Sequence, residues 1–174
     1  MPKRLTPKLL TLAEAAHWSR AARRRGQRVV ATNGCFDLLH YGHVDYLRRA
    51  KALGDLLVIG LNSDCSVRQL KGPTRPLVPE RQRAAVLAAL ACVDAVVIFP
   101  EKRADRFLAT VQPDIYVKGG DYRPDTLDAD ERAVLSAAGT KVRILPFVRG
   151  FSTTGLIEKI RRSLTSGASR RQTR

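Results

Sequence analysis

One stretch of the chain organises the rest: Ala31-Thr32-Asn33-Gly34-Cys35-Phe36-Asp37-Leu38-Leu39-His40-Tyr41-Gly42-His43. It follows an apolar run typical of a strand, Arg28 to Ala31, and leads into an amphipathic run that predicts a helix, Val44 to Leu53. A strand, a turn of small residues and a helix start therefore meet here, with two histidines three residues apart. Because a helix N-terminus offers unpaired backbone N–H groups and the positive end of its dipole, this corner suits a phosphate.

The remainder of the chain alternates between predicted strands and predicted helices. The strands are expected at 55–61, 94–99, 114–117 and 141–146, and the helices at 11–25, 65–70, 79–91, 103–111, 128–138 and 153–164. This spacing calls for βαβ units. We therefore expect an α/β fold with one Rossmann-like, doubly wound parallel sheet in a single domain. Ligands of such sheets bind beyond the carboxyl ends of the strands.

The net charge of +15 is concentrated at the two ends of the chain. Residues 1–28 hold eight Lys or Arg against Glu14 alone, and residues 159–174 hold six and no acid. We predict a basic lead-in with an N-terminal helix at 1–27, a folded domain at 28–162 and a disordered basic tail at 163–174. Within the lead-in, residues 1–10 are expected to be loose, and Thr11-x-x-Glu14 predicts a capping box at the helix start.

Several protein classes are disfavoured by composition. A nearly neutral central segment and an aromatic content of 6% argue against a nucleic-acid-binding domain. No apolar run approaches the ~18–20 residues of a membrane span, and the N-terminus lacks the apolar region of a signal peptide. The three cysteines, Cys35, Cys65 and Cys92, show no C-x-x-C pattern. We therefore expect a cytoplasmic protein with neither membrane nor nucleic acid as partner.

The motif His40-x-Gly42-His43 places two imidazoles on one face of an opening helical turn. Gly42 removes a side chain between them, so a ligand can approach the backbone closely. Two donors above a helix N-terminus can stabilise the charge that develops on a phosphoryl group during transfer, which favours a nucleotidyltransferase.

Three alternatives stay open for this corner. Both histidines could be ordinary helix-cap residues, or Asp37, His40 and His43 could bind a divalent metal such as zinc. A dinucleotide site is a weak alternative, because the chain has no G-x-G-x-x-G motif.

Polar residues also follow the other predicted strands. Lys71 and Arg75 lie on a Gly/Pro loop that could neutralise pyrophosphate or simply be a solvated basic loop. The glycines of Lys118-Gly119-Gly120-Asp121-Tyr122 permit close approach to a base or sugar, or a tight turn. Hydroxyls at Ser152-Thr153-Thr154 suit phosphates at a helix start, although Ser152 could equally be a helix cap.

The stretch Thr32 to His43 resembles the signature of the cytidylyltransferase-like nucleotidyltransferases, and Ser152-Thr153-Thr154 resembles their second signature. Within that superfamily the chain is most similar to the D-glycero-β-D-manno-heptose 1-phosphate adenylyltransferases. The resemblance runs from about Val29 to Ile160. Its supporting residues are Asn62-Ser63-Asp64, Lys71-Gly72, Arg75-Pro76, Gln82-Arg83, Val93-Asp94 and Lys118 to Tyr122.

The resemblance implies transfer of AMP from ATP to the heptose 1-phosphate, with ADP-heptose and pyrophosphate as products. It implies catalytic roles for His40, His43 and Lys71, and a structural or rim position for Arg83. The implied nucleotide-binding residues are Thr32, Asn33, Gly34, Cys35, Phe36, Asp37, Gly42, Lys118, Gly119, Asp121, Ser152, Thr153 and Thr154. Mg²⁺ is expected to accompany ATP by bridging its phosphate oxygens, and no residue is expected to ligate a metal directly.

The resemblance also implies partners: ATP, a sugar 1-phosphate and a second copy of the chain in a homodimer. The family domain is often fused to a sugar kinase, and we expect a separate kinase upstream because this chain is too short to contain one. The nearest alternative function is a cytidylyltransferase acting on glycerol 3-phosphate or phosphoethanolamine. An alternative of another class is a polyanion-binding module that uses the basic termini.

Overall fold

The computed structural model of the chain describes residues 7–120, 127–146, 148 and 150–169. Asp121, one of the implied nucleotide-binding residues, lies outside the described residues, as does Tyr122.

Six strands and seven helices make up the described part of the chain. The strands are β1 (Leu9–Leu10), β2 (Val29–Gly34), β3 (Leu56–Asn62), β4 (Ala95–Phe99), β5 (Ile115–Gly119) and β6 (Lys141–Leu145). The helices are α1 (Leu12–Arg24), α2 (Tyr41–Lys51), α3 (Asp64–Lys71), α4 (Glu80–Ala88), α5 (Asp105–Val111), α6 (Ala129–Ala137) and α7 (Thr153–Ser169). None of these helices combines the length and the apolar character needed to cross a membrane.

The strands form one parallel sheet in the order β1-β4-β3-β2-β5-β6. The chain moves outward from β2 through β3 to β4, and then returns to place β5 on the other side of β2. This reversal opens a crevice at the carboxyl ends of β2 and β5, where ligands of doubly wound sheets bind. The predicted fold class is therefore confirmed.

Both faces of the sheet are covered, because successive side chains of a buried strand point to opposite sides. On one face, strand residues such as Ala31 and Val58 pack with Phe107 of α5 and Leu135 of α6, and α1 joins them. On the other face, Val30, Ile59 and Val96 pack against α2 and α4. Each face buries its own apolar cluster, which fixes the strand ends that build the crevice.

The N-terminal segment is more ordered than predicted. Leu9 and Leu10 form a parallel edge strand opposite Val96 and Val97, so the expectation of a loose segment is wrong for them. Two residues are too few to show the alternating pattern of a strand. The backbone groups along the free edge of β4 nevertheless form hydrogen bonds with this segment. The predicted capping box is present, since the Thr11 hydroxyl accepts from the Glu14 N–H at 3.2 Å and the Glu14 carboxylate accepts from the Thr11 N–H at 2.8 Å.

The last helix begins at Thr153 as predicted but continues to Ser169, five residues beyond the predicted end at Leu164. The tail predicted from residue 163 therefore starts inside a helix, and residues 170–174 lie outside the description. The sequence between 164 and 169 contains no proline, and its one glycine, Gly167, costs only about 1 kcal/mol in a helix interior.

Candidate active site

A cleft of about 810 Å³ opens at the carboxyl edge of the sheet. Every predicted site residue that the structure describes lines this cleft, with the exception of Thr32. The residues brought together are Asn33, Gly34, Cys35, Phe36, Asp37, His40, Gly42, His43, Lys71, Lys118, Gly119, Ser152, Thr153 and Thr154.

The floor of the cleft is the turn between β2 and α2. Phe36 adopts a left-handed backbone conformation with φ of 42°, which a bulky residue adopts only under strain. Its ring lies 3.1 Å from the position that a Cβ on Gly34 would take, so a larger residue there would have to shift the ring by a few tenths of an ångström. His40 follows as the N-cap residue of α2, but its side chain makes no capping hydrogen bond. The helix-cap alternative therefore does not explain the His40 imidazole.

The two histidine rings stack on each other, with centroids 3.9 Å apart and an interplanar angle of 21°. The Phe36 ring meets His43 edge-on at 5.3 Å. Within the described part of the chain, Nδ1 of each histidine is buried without a hydrogen-bond partner. Burial lowers the pKa of His40, and burial together with the neighbouring His40 lowers the pKa of His43 to about 4. Both rings are therefore neutral donors at pH 7.

Gly42 allows the segment before α7 to reach the histidines. A Cβ on Gly42 would lie 3.0 Å from the Phe151 Cβ and 3.2 Å from the His40 ring. We expected a ligand to need this space, but the protein's own Phe151 takes part of it. The Ser152 hydroxyl accepts from the Gly155 N–H at 3.0 Å, so Ser152 also caps α7. Thr153, in the first turn of the helix, faces the same cleft.

Asp37 binds a distant segment of the chain, residues 72–78. Its carboxylate accepts from the Leu77 N–H at 2.8 and 3.0 Å and from the Val78 N–H at 2.9 Å, and it forms an ion pair with Arg75 at 2.5 Å. Asp37 therefore does not join the two histidines as a third metal ligand. The residues that the structure describes contain no group of three His, Cys, Asp or Glu able to hold a metal ion.

Two basic side chains line the cleft at the C-terminal end of α3 and in the segment that follows it. Lys71 is the last residue of α3 and is exposed, and Arg75 lines the cleft nearby. The Arg75 side chain is only 19% exposed, which distinguishes it from a residue on a solvated loop. The Arg75 Nε is buried and has no hydrogen-bond partner among the residues described.

A polar cluster on the opposite flank positions Asn33. The Asn33 Oδ1 accepts from the Tyr116 hydroxyl at 2.6 Å and from Lys118 Nζ at 3.1 Å, which leaves the amide NH₂ as a donor. Lys118 Nζ lies 3.5 Å from Glu131 Oε2, and Glu131 Oε1 accepts from the Ala104 N–H at 3.2 Å. Burial lowers the pKa of Lys118, and the Glu131 carboxylate opposes that shift.

Two of the residues considered from the sequence lie beneath the cleft. Thr32 is buried with its hydroxyl 2.7 Å from the Tyr46 hydroxyl, which donates to the Val117 carbonyl at 2.9 Å, so Thr32 ties β2 to α2 and β5. Arg83 is also buried. Its guanidinium donates to the carbonyls of Val78 at 2.8 Å, Cys35 at 2.5 Å and Asn62 at 2.9 Å, and to Asp64 at 2.7 Å.

The cleft also contains residues that the sequence analysis did not propose for the site. They are Tyr46, Val67, Leu70, Lys102, Arg103, Asp128, Glu131, Val148 and Phe151. Lys102 and Arg103 follow the carboxyl end of β4, and their position after a strand was a usable signal. Glu131 carried no such signal, because it reaches the cleft from the first turns of α6 only through tertiary packing.

The sequence of the chain is similar to that of a known protein family and of two named relatives. The model of the cytidylyltransferase-like family matches residues 31–166. The bifunctional protein HldE of Syntrophotalea carbinolica is 55% identical over 79% of this chain and 28% of its own length. The protein of the same name from Geotalea uraniireducens is 54% identical over 88% of this chain and 31% of its own length. The chain thus spans less than a third of these relatives.

Solved structures are similar as well. The lipopolysaccharide core biosynthesis protein from Thermoplasma volcanium superposes with a TM-score of 0.58 and 31% sequence identity, covering 71% of this chain and 98% of that one. The pantoate-beta-alanine ligase from Francisella tularensis superposes with a TM-score of 0.52 over 81% of this chain and 67% of that one. At 14% identity the second likeness supports the fold alone.

Proposed function

The chain belongs to the cytidylyltransferase-like family, and on that premise we propose that it transfers AMP from ATP to a sugar 1-phosphate. We propose D-glycero-D-manno-heptose 1-phosphate as the acceptor and ADP-heptose and pyrophosphate as the products. The acceptor is supported by the two HldE relatives, which are more than half identical to this chain over most of its length. It is also supported by the residues that resemble the heptose branch of the superfamily.

The observation that carries the reaction type is the stacked pair of neutral histidines at the N-terminus of α2. Each ring offers an N–H donor without adding a charge, and the helix end adds its backbone N–H groups. Lys71 and Arg75 on one side and the start of α7 on the other supply further groups suited to phosphates. Such an arrangement stabilises charge spread over several phosphoryl oxygens.

The proposed reaction is a single in-line displacement. A phosphate oxygen of the sugar 1-phosphate attacks the α-phosphorus of ATP and forms the new P–O bond. The bond from the α-phosphorus to its bridging oxygen breaks, and pyrophosphate leaves with that electron pair. His40 and His43 donate to oxygens of the pentacoordinate phosphorus, while Lys71 neutralises the leaving pyrophosphate. The protein forms no covalent intermediate, so it acts by positioning and charge stabilisation.

The nucleotide is expected to lie over the carboxyl ends of β2 and β5. Asn33 offers its NH₂ group there, and Gly119 permits close approach of a ligand to the backbone. Thr153 and Thr154 would bind the β- and γ-phosphates. Mg²⁺ is proposed to arrive with ATP and to be held mainly by phosphate oxygens.

The function is tested by measuring pyrophosphate release with ATP or CTP, each paired with heptose 1-phosphate, glycerol 3-phosphate or phosphoethanolamine. We expect release with ATP and heptose 1-phosphate, and none when the acceptor is omitted. Release with CTP but not with ATP would overturn the adenylyltransferase assignment. Release only with glycerol 3-phosphate or phosphoethanolamine would overturn the assignment of a sugar 1-phosphate as the acceptor.

Three further proposals concern the source of the sugar 1-phosphate, the oligomeric state and the cellular compartment. The sugar 1-phosphate has to be supplied by a kinase reaction, which we assign to a separate active site. We propose that the chain works as a homodimer in the cytoplasm, which is tested by light scattering of the purified protein and by cell fractionation. A monomeric mass at the assay concentration would contradict the homodimer but would leave the proposed adenylyl transfer unaffected.

A further inference from the structure

We propose that Asp37 is a positioning residue: it fixes segment 72–78 against the histidine corner and aims the Arg75 guanidinium at a phosphoryl oxygen of a substrate in the cleft. The inference rests on the proposed nucleotidyl transfer. It changes the role of Asp37, which the family resemblance implies as a nucleotide-binding residue, and it gives Arg75 a binding role that does not depend on loop charge alone.

The Asp37 carboxylate is committed within the protein. The residue is 5% exposed, and both of its oxygens accept from the Leu77 N–H. One oxygen also accepts from the Val78 N–H, and the other binds the Arg75 guanidinium. A carboxylate has about four lone-pair sites, so these contacts occupy its capacity. A negative charge so placed would also repel a phosphate unless a cation stood beside it.

Arg75 is that cation, and it retains donors for a ligand. Asp37 engages its Nη2, whereas its Nε has no hydrogen-bond partner in the described residues although the atom is buried. A guanidinium has five N–H donors in a rigid fork that matches phosphate oxygens. Because 19% of the Arg75 side chain is exposed, a guanidinium donor that Asp37 does not engage can bind a phosphoryl oxygen in the cleft. Arg75 lines the same cleft as the two histidines.

Two substrates carry this chemistry, ATP and the sugar 1-phosphate, and steady-state kinetics separate them. We expect Arg75→Gln to raise the KM for one of the two by about 10–100-fold, the usual effect of losing a charge-assisted hydrogen bond. The KM for the other substrate should stay within about twofold. The affected substrate identifies the source of the phosphoryl oxygen. An unchanged KM for both substrates would overturn the role of Arg75.

Asp37→Asn tests the positioning role, because its NH₂ group would face the N–H donors of Leu77 and Val78. We expect this variant to raise the same KM that Arg75→Gln raises. Since Asp37 acts through Arg75, the double variant should be no worse than Arg75→Gln alone. Multiplying effects in the double variant, or a change in the KM of the other substrate, would show that Asp37 acts by another route.

Amide hydrogen exchange tests the contact without any activity. Exchange at the Leu77 and Val78 amides should become at least about tenfold faster in Asp37→Asn. A tenfold change corresponds to a loss of about 1.4 kcal/mol in the free energy of the local opening that permits exchange. Arg75→Gln should leave both amides protected. Unchanged exchange in Asp37→Asn would refute the positioning role. Absence of pyrophosphate release from the wild type with every substrate pair would instead refute the proposed function and leave the exchange result standing.

Asp94 provides the matched control. It also accepts a backbone N–H, from Leu57 at 2.7 Å, and pairs with Lys51 at 2.6 Å, but it precedes β4 at the opposite edge of the sheet. Asp94→Asn should lower the urea midpoint without changing either KM. If it raised the same KM as Asp37→Asn, the effect would be general destabilisation and the positioning role would fall.

Discussion

At the scale of single residues, the proposed reaction gives His40 and His43 a different role from the neighbouring cations. Burial keeps both imidazoles neutral, so they serve as hydrogen-bond donors of fixed direction. In the same proposal, Lys71 and Arg75 supply the positive charge that stabilises the phosphates. Separating direction from charge limits the repulsion that two adjacent imidazolium ions, with ring centroids 3.9 Å apart, would otherwise impose on the site.

The first prediction concerns His43. We expect His43→Ala to lower kcat by about 10²–10³-fold, the usual effect of removing one donor to a charge that develops in the transition state. The ring packs against Phe36 and His40, so its removal should also lower the urea midpoint somewhat, but the variant should remain folded under the assay conditions, which circular dichroism checks. His17→Ala is the control, since His17 lies exposed on α1 and contacts Arg20. Near-normal turnover of His43→Ala would contradict the proposed role.

The second prediction is a pH dependence of stability that arises from the same residue. The unfolded chain protonates His43 near its ordinary pKa of 6.5, whereas the folded protein does so only near 4. Between these values the unfolded state binds more protons, so the free energy of unfolding falls as the pH is lowered, by at most about 1.4 kcal/mol per pH unit from this group. Urea titrations of the wild type and His43→Gln between pH 7 and 4.5 should diverge below pH 6.5. Parallel curves would show that burial does not hold the ring neutral.

At the scale of elements, Arg83 links the parts that build the cleft. Its guanidinium joins the turn after β2, the end of β3, the start of α3 and the segment before α4. The side chain is fully buried, and Asp64 provides its carboxylate partner. Removing the cation leaves three carbonyls and one carboxylate without their donor, a costly outcome for buried polar groups.

The third prediction follows from that network. Arg83→Met should lower the free energy of unfolding by about 3 kcal/mol, because one partner of a buried ion pair is lost with several hydrogen bonds. The neighbouring Arg81 is exposed on the same helix, and Arg81→Met should change stability by less than about 0.5 kcal/mol. Urea unfolding followed by circular dichroism measures both. Equal midpoints for the two variants would mean that the Arg83 contacts contribute nothing to stability.

Local patterns predicted most elements, because each helix and central strand is long enough to show its period. They missed β1, which is only Leu9–Leu10, and they ended α7 five residues early. The histidine corner was predictable because its residues are neighbours in the chain. The Asp37 contact with segment 72–78 was not, since it spans about forty residues and depends on backbone N–H groups that no side-chain pattern reveals.

At the scale of the whole molecule, the net positive charge is concentrated at the two ends of the sequence, whereas the cations of the described cleft belong to its central part. Residues 159–174 carry six Arg or Lys and no acid, whereas the last of the described residues that line the cleft is Thr154. The cations of the site come instead from α3, its following segment, and the ends of β4 and β5. We expect the basic end to attract polyanions independently of the proposed reaction.

The fourth prediction separates these two properties. Deleting residues 163–174 should leave the rate of pyrophosphate release within about twofold of that of the full chain. The deletion keeps the first turns of α7 and all of the described residues that line the cleft. DNA binding should weaken, and the slope of log affinity against log salt should become shallower by up to about 2.7, since three arginines are removed and each accounts for about 0.9. Replacing Arg170, Arg171 and Arg174 by Gln in the full chain should reproduce this loss of binding, which assigns it to charge and not to length. If the deletion abolished pyrophosphate release while the Gln variant retained it, the far half of α7 would be a structural support of the site.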